Sequence, residues 1–193
     1  MKLGVFGGTF DPPHIGHLIA AQDALLLLEL DRVLFIPART PPHKLHGNVS
    51  TAELRLRMIQ AATADNARFE VSDVELRRDG PSYTVDTLRE LRTSHAGAEL
   101  YLLLGVDQVR EFHTWHQPNE VLRQAHLVML TRGGVEQPPK SDIVERRVPV
   151  TRIDVSSTMI RQRVAAGQSI QYLVPRAVEK IIAAERLYSG SLG

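Results

Sequence analysis

The sequence predicts an α/β fold: a doubly wound, mostly parallel sheet with helices on both faces. Two observations predict it. Short apolar runs alternate with helical stretches from one end of the chain to the other. Those runs are apolar at successive rather than alternate positions, as strands covered on both faces are.

The elements follow in order. Residues 2–6 are an apolar strand closed by Gly7-Gly8. From Ile15 to Leu30 the chain is rich in Leu and Ala, with polar residues only at His17, Gln22, Asp23 and Glu29, which fits a helix packed on a sheet. Residues 33–36 form a second buried strand before Pro37. Ser50-Thr51-Ala52-Glu53 reads as a capping box opening a helix with Leu54, Met58 and Ala61 on one stripe. Phe69 to Leu76 is strand-like, Asp79-Gly80-Pro81-Ser82 a turn, and Thr84 to Thr93 a helix carrying Val85, Leu88 and Leu91. Leu100 to Leu104 and His126 to Thr131 are apolar strands, and Val148 to Ile153 is a last one. Ser156 or Ser157 caps a helix to Ala166, ended by Gly167. Pro175 opens a final helix to about Tyr188 as its first residue. One domain over residues 1–188 with a tail at 189–193 is expected, and the loop 133–143 and the tail are the expected disordered stretches.

Composition narrows the function classes. Of 193 residues, 43% are apolar and 23% charged, the balance of an ordinary globular chain rather than a disordered one. Basic and acidic residues number 23 and 22, so no overall field is present to hold a nucleic acid. No apolar run reaches the ~18 residues of a membrane span. The absence of cysteine removes disulfides, thiolate metal sites and a cysteine nucleophile. With no signal-peptide layout at the N-terminus, a cytoplasmic location is expected. The oligomeric state, homo-oligomer included, stays open.

The chemistry concentrates at the first strand–helix junction, Gly7-Gly8-Thr9-Phe10-Asp11-Pro12-Pro13-His14-Ile15-Gly16-His17. In doubly wound sheets ligands bind beyond the carboxyl ends of strands. Bare N–H groups at a helix start favour anions. Gly7 and Gly8 let backbone approach a ligand. His14 and His17 fall on one face of the first helical turn, and Gly16 between them removes a side chain that would block a phosphate. The bland alternative is a junction whose histidines merely cap or pack. The segment is neither a P-loop nor G-x-G-x-x-G. A second anion cradle is Ser156-Ser157-Thr158 at a helix start, with Arg161 one turn on; its bland reading is an ordinary N-cap. Gly105 and Asp107 follow a strand, where an acidic residue can accept bonds from ribose hydroxyls. Trp115, the only tryptophan, sits in a polar segment without apolar period, so a stacking role is open to it.

His14-Ile15-Gly16-His17 resembles the H-x-G-H signature of the nucleotidyltransferase superfamily with a Rossmann-like fold. The longer string GGTFDPPHIGH is similar to that of bacterial nicotinate-nucleotide adenylyltransferases. Further matches are Pro41-Pro42-His43-Lys44, the run Ser82 to Leu88, Gly105-x-Asp107 with Phe112 and Trp115, the run Val155 to Arg161, and Tyr172-Leu173-Val174-Pro175. They cover nearly the whole chain.

The resemblance implies a reaction of ATP with nicotinate mononucleotide that gives deamido-NAD and pyrophosphate, without a covalent enzyme intermediate. It implies His14 and His17 at the ATP phosphates, His17 at the reacting phosphoryl, and Gly8, Thr9 and Phe10 as backbone around the nucleotide. Lys44 and Arg161 would reach phosphate, and Ser156, Ser157 and Thr158 would grip the polyphosphate. Gly105 and Asp107 would lie at the sugar. Ser82, Tyr83, Thr84, Trp115 and His116 would hold the nicotinate ring, and Arg132 is the candidate for the mononucleotide phosphate. Family members often carry an aromatic residue where this chain has His116, and a Tyr-Ile pair where it has Ile181-Ile182.

Three H-x-x-H pairs (His14/His17, His43/His46, His113/His116) raise a metal reading, but H-E-x-x-H is absent. No protein-bound metal is expected. Mg²⁺ is expected to arrive with ATP, held by phosphate oxygens and water. Two other readings remain: another adenylyl- or cytidylyltransferase of the superfamily, and a nucleotide-binding regulator without turnover.

Overall fold

The computed structural model describes residues 1–39, 49–132 and 142–189. Within them the chain runs β1 (Lys2–Gly8), α1 (Ile15–Leu27), β2 (Arg32–Pro37), α2 (Ala52–Thr63), β3 (Phe69–Val71), α3 (Thr84–Ser94), β4 (Glu99–Gly105), α4 (Val106–Glu111), a 3₁₀ turn at Phe112–Thr114, α5 (Pro118–Gln124), β5 (His126–Arg132), β6 (Arg146–Val150), α6 (Ser157–Ala165) and α7 (Arg176–Ala184). The strands form one sheet in the order β3-β2-β1-β4-β5-β6. Every pairing in it is parallel. The winding direction reverses between β1 and β4, so their carboxyl ends open a crevice there.

Alternating residues of the same strands feed two cores. Leu3, Val5, Leu34, Ile36, Leu100, Leu102, Leu104 and Met129 face one side, where Val85, Leu88 and Leu91 of α3 and Val121 of α5 cover them. Phe6, Val33, Phe35, Leu103, Val128 and Val148 face the other, under Ala21, Ala24 and Leu25 of α1. This double cover is why the strands read as unbroken apolar runs, each large buried side chain contributing about 1.5–3 kcal/mol. A third cluster joins α2, α6 and α7 through Met58, Ile160, Val178 and Ile182.

Several boundaries differ from the expected ones. Helix α1 stops at Leu27, and Glu29 turns left-handed at φ 53°. Strand β3 ends at Val71, because the Asp73 carbonyl closes a turn with the N–H groups of Leu76 and Arg77. β6 starts two residues and ends three residues earlier than expected. Pro175 is the N-cap of α7 rather than its first residue, and that helix ends at Ala184. Thr51, not Ser50, caps α2, its hydroxyl accepting from the Leu54 N–H at 3.3 Å. The buried stripe of α2 is Arg55, Met58, Ile59 and Thr63, not Leu54, Met58 and Ala61. That stripe has helical spacing, but its first member is an arginine. The two short helices α4 and α5 are invisible as periodicity, since six or seven residues complete too few turns. Of the stretches expected to be disordered, 133–141 and 190–193 lie outside the described residues.

Candidate functional site

Two cavities open at the reversal point, and Gly7, Gly8 and Gln108 line both. The larger, about 680 Å³, runs from the junction after β1 to the start of α6. The smaller, about 300 Å³, lies between the ends of β1, β2 and β4 and the start of α3.

The larger cavity holds Gly7, Gly8, Phe10, His14, Gly16, His17, Gly105, Asp107, Ser156, Ser157 and Thr158, brought together from positions up to 151 residues apart (7 to 158). His14 is the N-cap of α1 rather than a residue of its first turn. Its ring stacks on that of His17, centroids 3.7 Å apart and 27° from parallel. The His14 backbone N–H donates to Nδ1 of His17 at 3.2 Å. An accepting Nδ1 in a neutral imidazole places the ring proton on Nε2, so this contact presets His17 as an Nε2–H donor. Phe10 packs edge-on to the His17 ring at 5.1 Å and holds it from the far side.

Gly16 lines the cavity, and a Cβ on it would sit 3.1 Å from the His14 ring, so Gly16 also makes room for the imidazole. A Cβ on Gly8 would come within 3.0 Å of the Phe10 ring, whose left-handed backbone (φ 51°) folds it back under the strand.

Two helix starts face this one cavity, and neither α1 nor α6 carries an acidic residue in its first turn. Both positive ends of the peptide dipoles therefore stay available for an anion. The Ser156 hydroxyl caps α6 through the Met159 N–H at 3.2 Å. Ser157 Oγ donates to the Pro12 carbonyl at 2.9 Å and clamps the second helix start to the first junction.

Arg161 is not among the residues lining either cavity. Its Nη1 donates to the Asp11 carbonyl at 2.8 Å and its Nη2 to Thr158 Oγ1 at 3.2 Å, so its fork spans the α6 start and the junction. An ammonium has no planar fork for that span. Arg161→Lys is expected to lower kcat/KM by about tenfold, ~1.4 kcal/mol; steady-state kinetics at wild-type level would remove the bridge from the mechanism. Thr9 lines the smaller cavity rather than the larger. Arg132 ends β5, and the placement of its side chain is not described. Lys44, with His43 and His46, lies outside the described residues.

The smaller cavity gathers Ser82, Tyr83, Thr84, Trp115 and His116, as the sequence predicts. Tyr83 is the N-cap of α3 and has no side-chain cap bond. Its ring lies 4.4 Å from that of His116, tilted by 30°. Trp115 rests one side on Phe112, centroids 5.2 Å apart, and half-buried on the core. It is therefore both a core residue and a cavity wall.

Sequence reasoning missed four residues of this region. Gln108 accepts from the Gly105 N–H at 3.0 Å through Oε1. A glutamine at the third position of a helix is the capping-box signal that could have found it. Asp11 is buried and accepts from the Tyr188 hydroxyl and, at 3.2 Å, from the Ser50 N–H. Arg55, 1% exposed, donates to the carbonyls of Thr9 (2.9 Å), Ser50 (3.0 Å) and Arg39 (3.3 Å). Burial pulls its guanidinium below the ordinary arginine range, and the nearby Asp11 carboxylate acts the other way. Glu75 is the fourth, buried in the wall of the smaller cavity. For Asp11, Arg55 and Glu75 no sequence signal distinguishes burial from surface.

The cytidylyltransferase-like family matches residues 5–163. A protein of Geobacillus kaustophilus named "Probable nicotinate-nucleotide adenylyltransferase" is 42% identical over 192 residues, covering 100% of this chain and 88% of the relative. One of the same name from Thermus thermophilus is 46% identical over 190 residues, covering 97% and 100%. The chain belongs to the nicotinate-nucleotide adenylyltransferases. The fold agrees: a Plasmodium falciparum nicotinic acid mononucleotide adenylyltransferase structure, complexed with NaAD, superposes with a TM-score of 0.80 at 15% identity, covering 100% of this chain and 99% of that one. The chain is thus a nucleotidyltransferase with a Rossmann-like fold, as the H-x-G-H resemblance implies. Among the described residues no helix is long and apolar enough to cross a membrane.

Proposed function

We propose that this enzyme transfers the adenylyl group of ATP to nicotinate mononucleotide in two joined cavities, releasing deamido-NAD and pyrophosphate. The observation that carries this reading is the shared seam at Gly7, Gly8 and Gln108. A mononucleotide with its ring in the smaller cavity meets, at that seam, a triphosphate lying in the larger one. A phosphate oxygen of the mononucleotide attacks the α-phosphorus in line. The bond to the β-phosphate breaks, and its electron pair leaves with pyrophosphate. Such transfer needs position and charge stabilisation rather than a nucleophile from the protein. In this reading His17 donates its Nε2–H to an oxygen of the transferring phosphoryl. His14 supports the ring, the starts of α1 and α6 hold the polyphosphate, and Arg161 locks α6 to the junction. Lys44 supplies a further cation, Gly105 and Asp107 lie at the sugar, and Arg132 lies at the mononucleotide phosphate.

Mg²⁺ belongs to this reading as a companion of ATP. Among the described residues no group of three or more His, Cys, Asp or Glu side chains could hold a metal ion. Phosphate oxygens and waters would be its ligands, an arrangement magnesium commonly takes, and it would supply countercharge to the phosphates.

The test is pyrophosphate release with ATP against a panel of mononucleotides. Tyr83 and Thr84 at the start of α3 line the smaller cavity, where the bare N–H groups of a helix start would match a carboxylate on the ring. An amide would turn its NH₂ toward them, at a cost of about 1–3 kcal/mol or more once the charge is lost. The expected kcat/KM for nicotinate mononucleotide exceeds that for nicotinamide mononucleotide by at least ~10²-fold. Equal values would make this a dual-specificity enzyme and remove the carboxylate assignment.

A further inference from the structure

We propose that Glu75 determines specificity by standing in the ring cavity as a neutral carboxylic acid, so that the anionic pyridine acid binds only with that proton in place and binding weakens as pH rises. The proposal deepens the reading above and rests on its placement of the ring.

The residue is 8% exposed, and its walls are largely apolar: Val5, Ile36, Leu102 and Leu104 line the same cavity. Among the described residues no cation forms an ion pair with it. Arg78 comes nearest, yet its Nη2 donates to Thr87 Oγ1 at 2.7 Å and its Nη1 turns to Glu90 at 3.5 Å. A carboxylate taken out of water without a direct counter-ion takes up a proton instead. Burial accordingly pushes the Glu75 carboxyl above the usual range, against the opposing pull of its bonds to Thr87 and Ser82 and of the Arg78 charge.

The hydrogen-bond geometry accommodates the neutral form. Glu75 Oε1 and Thr87 Oγ1 are 2.7 Å apart. A protonated Glu75 donates to the Thr87 oxygen, which also accepts from Arg78. The Thr87 hydroxyl proton then has the Tyr83 carbonyl, 3.3 Å away, as its acceptor. Every member of the chain is satisfied. An ionised Glu75 would accept a hydrogen bond from the Thr87 hydroxyl and place a negative charge in the cavity wall, facing the ring carboxylate. Like charges in a partly desolvated site exclude each other.

Other titratable groups face the region from each side. Tyr83 and His116 stand across the cavity. Arg39, after β2, donates to the Leu76 and Arg78 carbonyls and pairs with Asp79. Glu90 of α3 draws Arg77 and Arg78. His116 lines the same cavity as Glu75. The decisive comparison therefore keeps His116 in place and changes Glu75 alone.

The experiment measures KM for nicotinate mononucleotide from about pH 5 to about pH 9 in wild type and Glu75→Gln. Contributions common to both proteins, that of the substrate phosphate included, cancel in the ratio. Above the Glu75 midpoint the wild-type KM should climb relative to E75Q, by about tenfold per pH unit at the limit. Parallel profiles would overturn the proposal. A second measurement needs no variant: calorimetry of nicotinate mononucleotide binding to the wild-type enzyme in buffers of different ionisation enthalpy. Uptake approaching one proton above the midpoint supports the coupling, and no uptake at any pH overturns it. A wild-type enzyme that turns over no nicotinate mononucleotide at any pH would instead sink the functional reading itself.

Discussion

Replacing His17 with Ala is expected to lower kcat by ~10²–10³, the usual cost of about 3–4 kcal/mol for losing one donor to a developing phosphoryl charge. ATP affinity should change far less, because two helix starts still hold the polyphosphate. The geometry supplies the reason for so large an effect. Phe10 at 5.1 Å, His14 at 3.7 Å and the His14 N–H at Nδ1 leave His17 little freedom in orientation or tautomer. Its donor is therefore oriented before the substrate arrives, and no reorganisation is left for the transition state. Alanine also removes the acceptor for that backbone N–H, which by itself costs about 1 kcal/mol of stability. His17→Asn separates the two effects. Its amide oxygen can take the place of Nδ1 and keep the cap, but nothing replaces Nε2–H. Single-turnover measurements should find both variants slow and only the alanine variant destabilised. Near wild-type turnover in either one would remove His17 from the phosphoryl group.

The largest stability effect is expected at Arg55. Arg55→Met preserves length and apolar contact but leaves the carbonyls of Thr9, Ser50 and Arg39 without the guanidinium and removes the Arg55 charge from beside Asp11. Breaking a buried charge network of this kind costs about 3–5 kcal/mol. A urea titration should show a lower midpoint at unchanged slope. Arg55→Lys should recover only part of the loss, since one ammonium cannot reach three carbonyls presented to a planar fork. A midpoint within error of wild type for Arg55→Met would mean that water replaces the guanidinium without cost. The residue also bears on the site. It ties Thr9 of the smaller cavity to Arg39 and Ser50, which bracket the stretch containing Lys44.

The sequence by itself determined the strand set and the parallel sheet, and it grouped most of the residues that line each of the two cavities. Strands β1, β2, β4 and β5 were legible because burial on both faces writes itself as unbroken apolar runs. The junction was legible because the Gly-Gly turn and the His-x-Gly-His string are local: their chemistry depends on neighbours three or four residues away. Ser156 was legible for the same reason, since a cap is a contact within one turn, whereas the Ser157 bond to Pro12 is long-range.

What the tertiary structure decided is where distant side chains meet. Arg161 looked like a phosphate ligand one turn beyond a cap, and only the packing of α6 on the first junction shows that its fork is used on Asp11 and Thr158. Gly16 looked like clearance for a ligand, and only the stacked histidine pair shows that it also clears the His14 ring. Thr9 fell to the smaller cavity because the chain turns at the seam between the two. Arg55 and Glu75 are ionisable residues, which in sequence read as solvent-facing. Their burial follows from partners 46 residues away in one case and 12 in the other. A charged residue enters a core only where separate segments supply hydrogen-bond partners for it, and that supply is a property of packing rather than of local sequence.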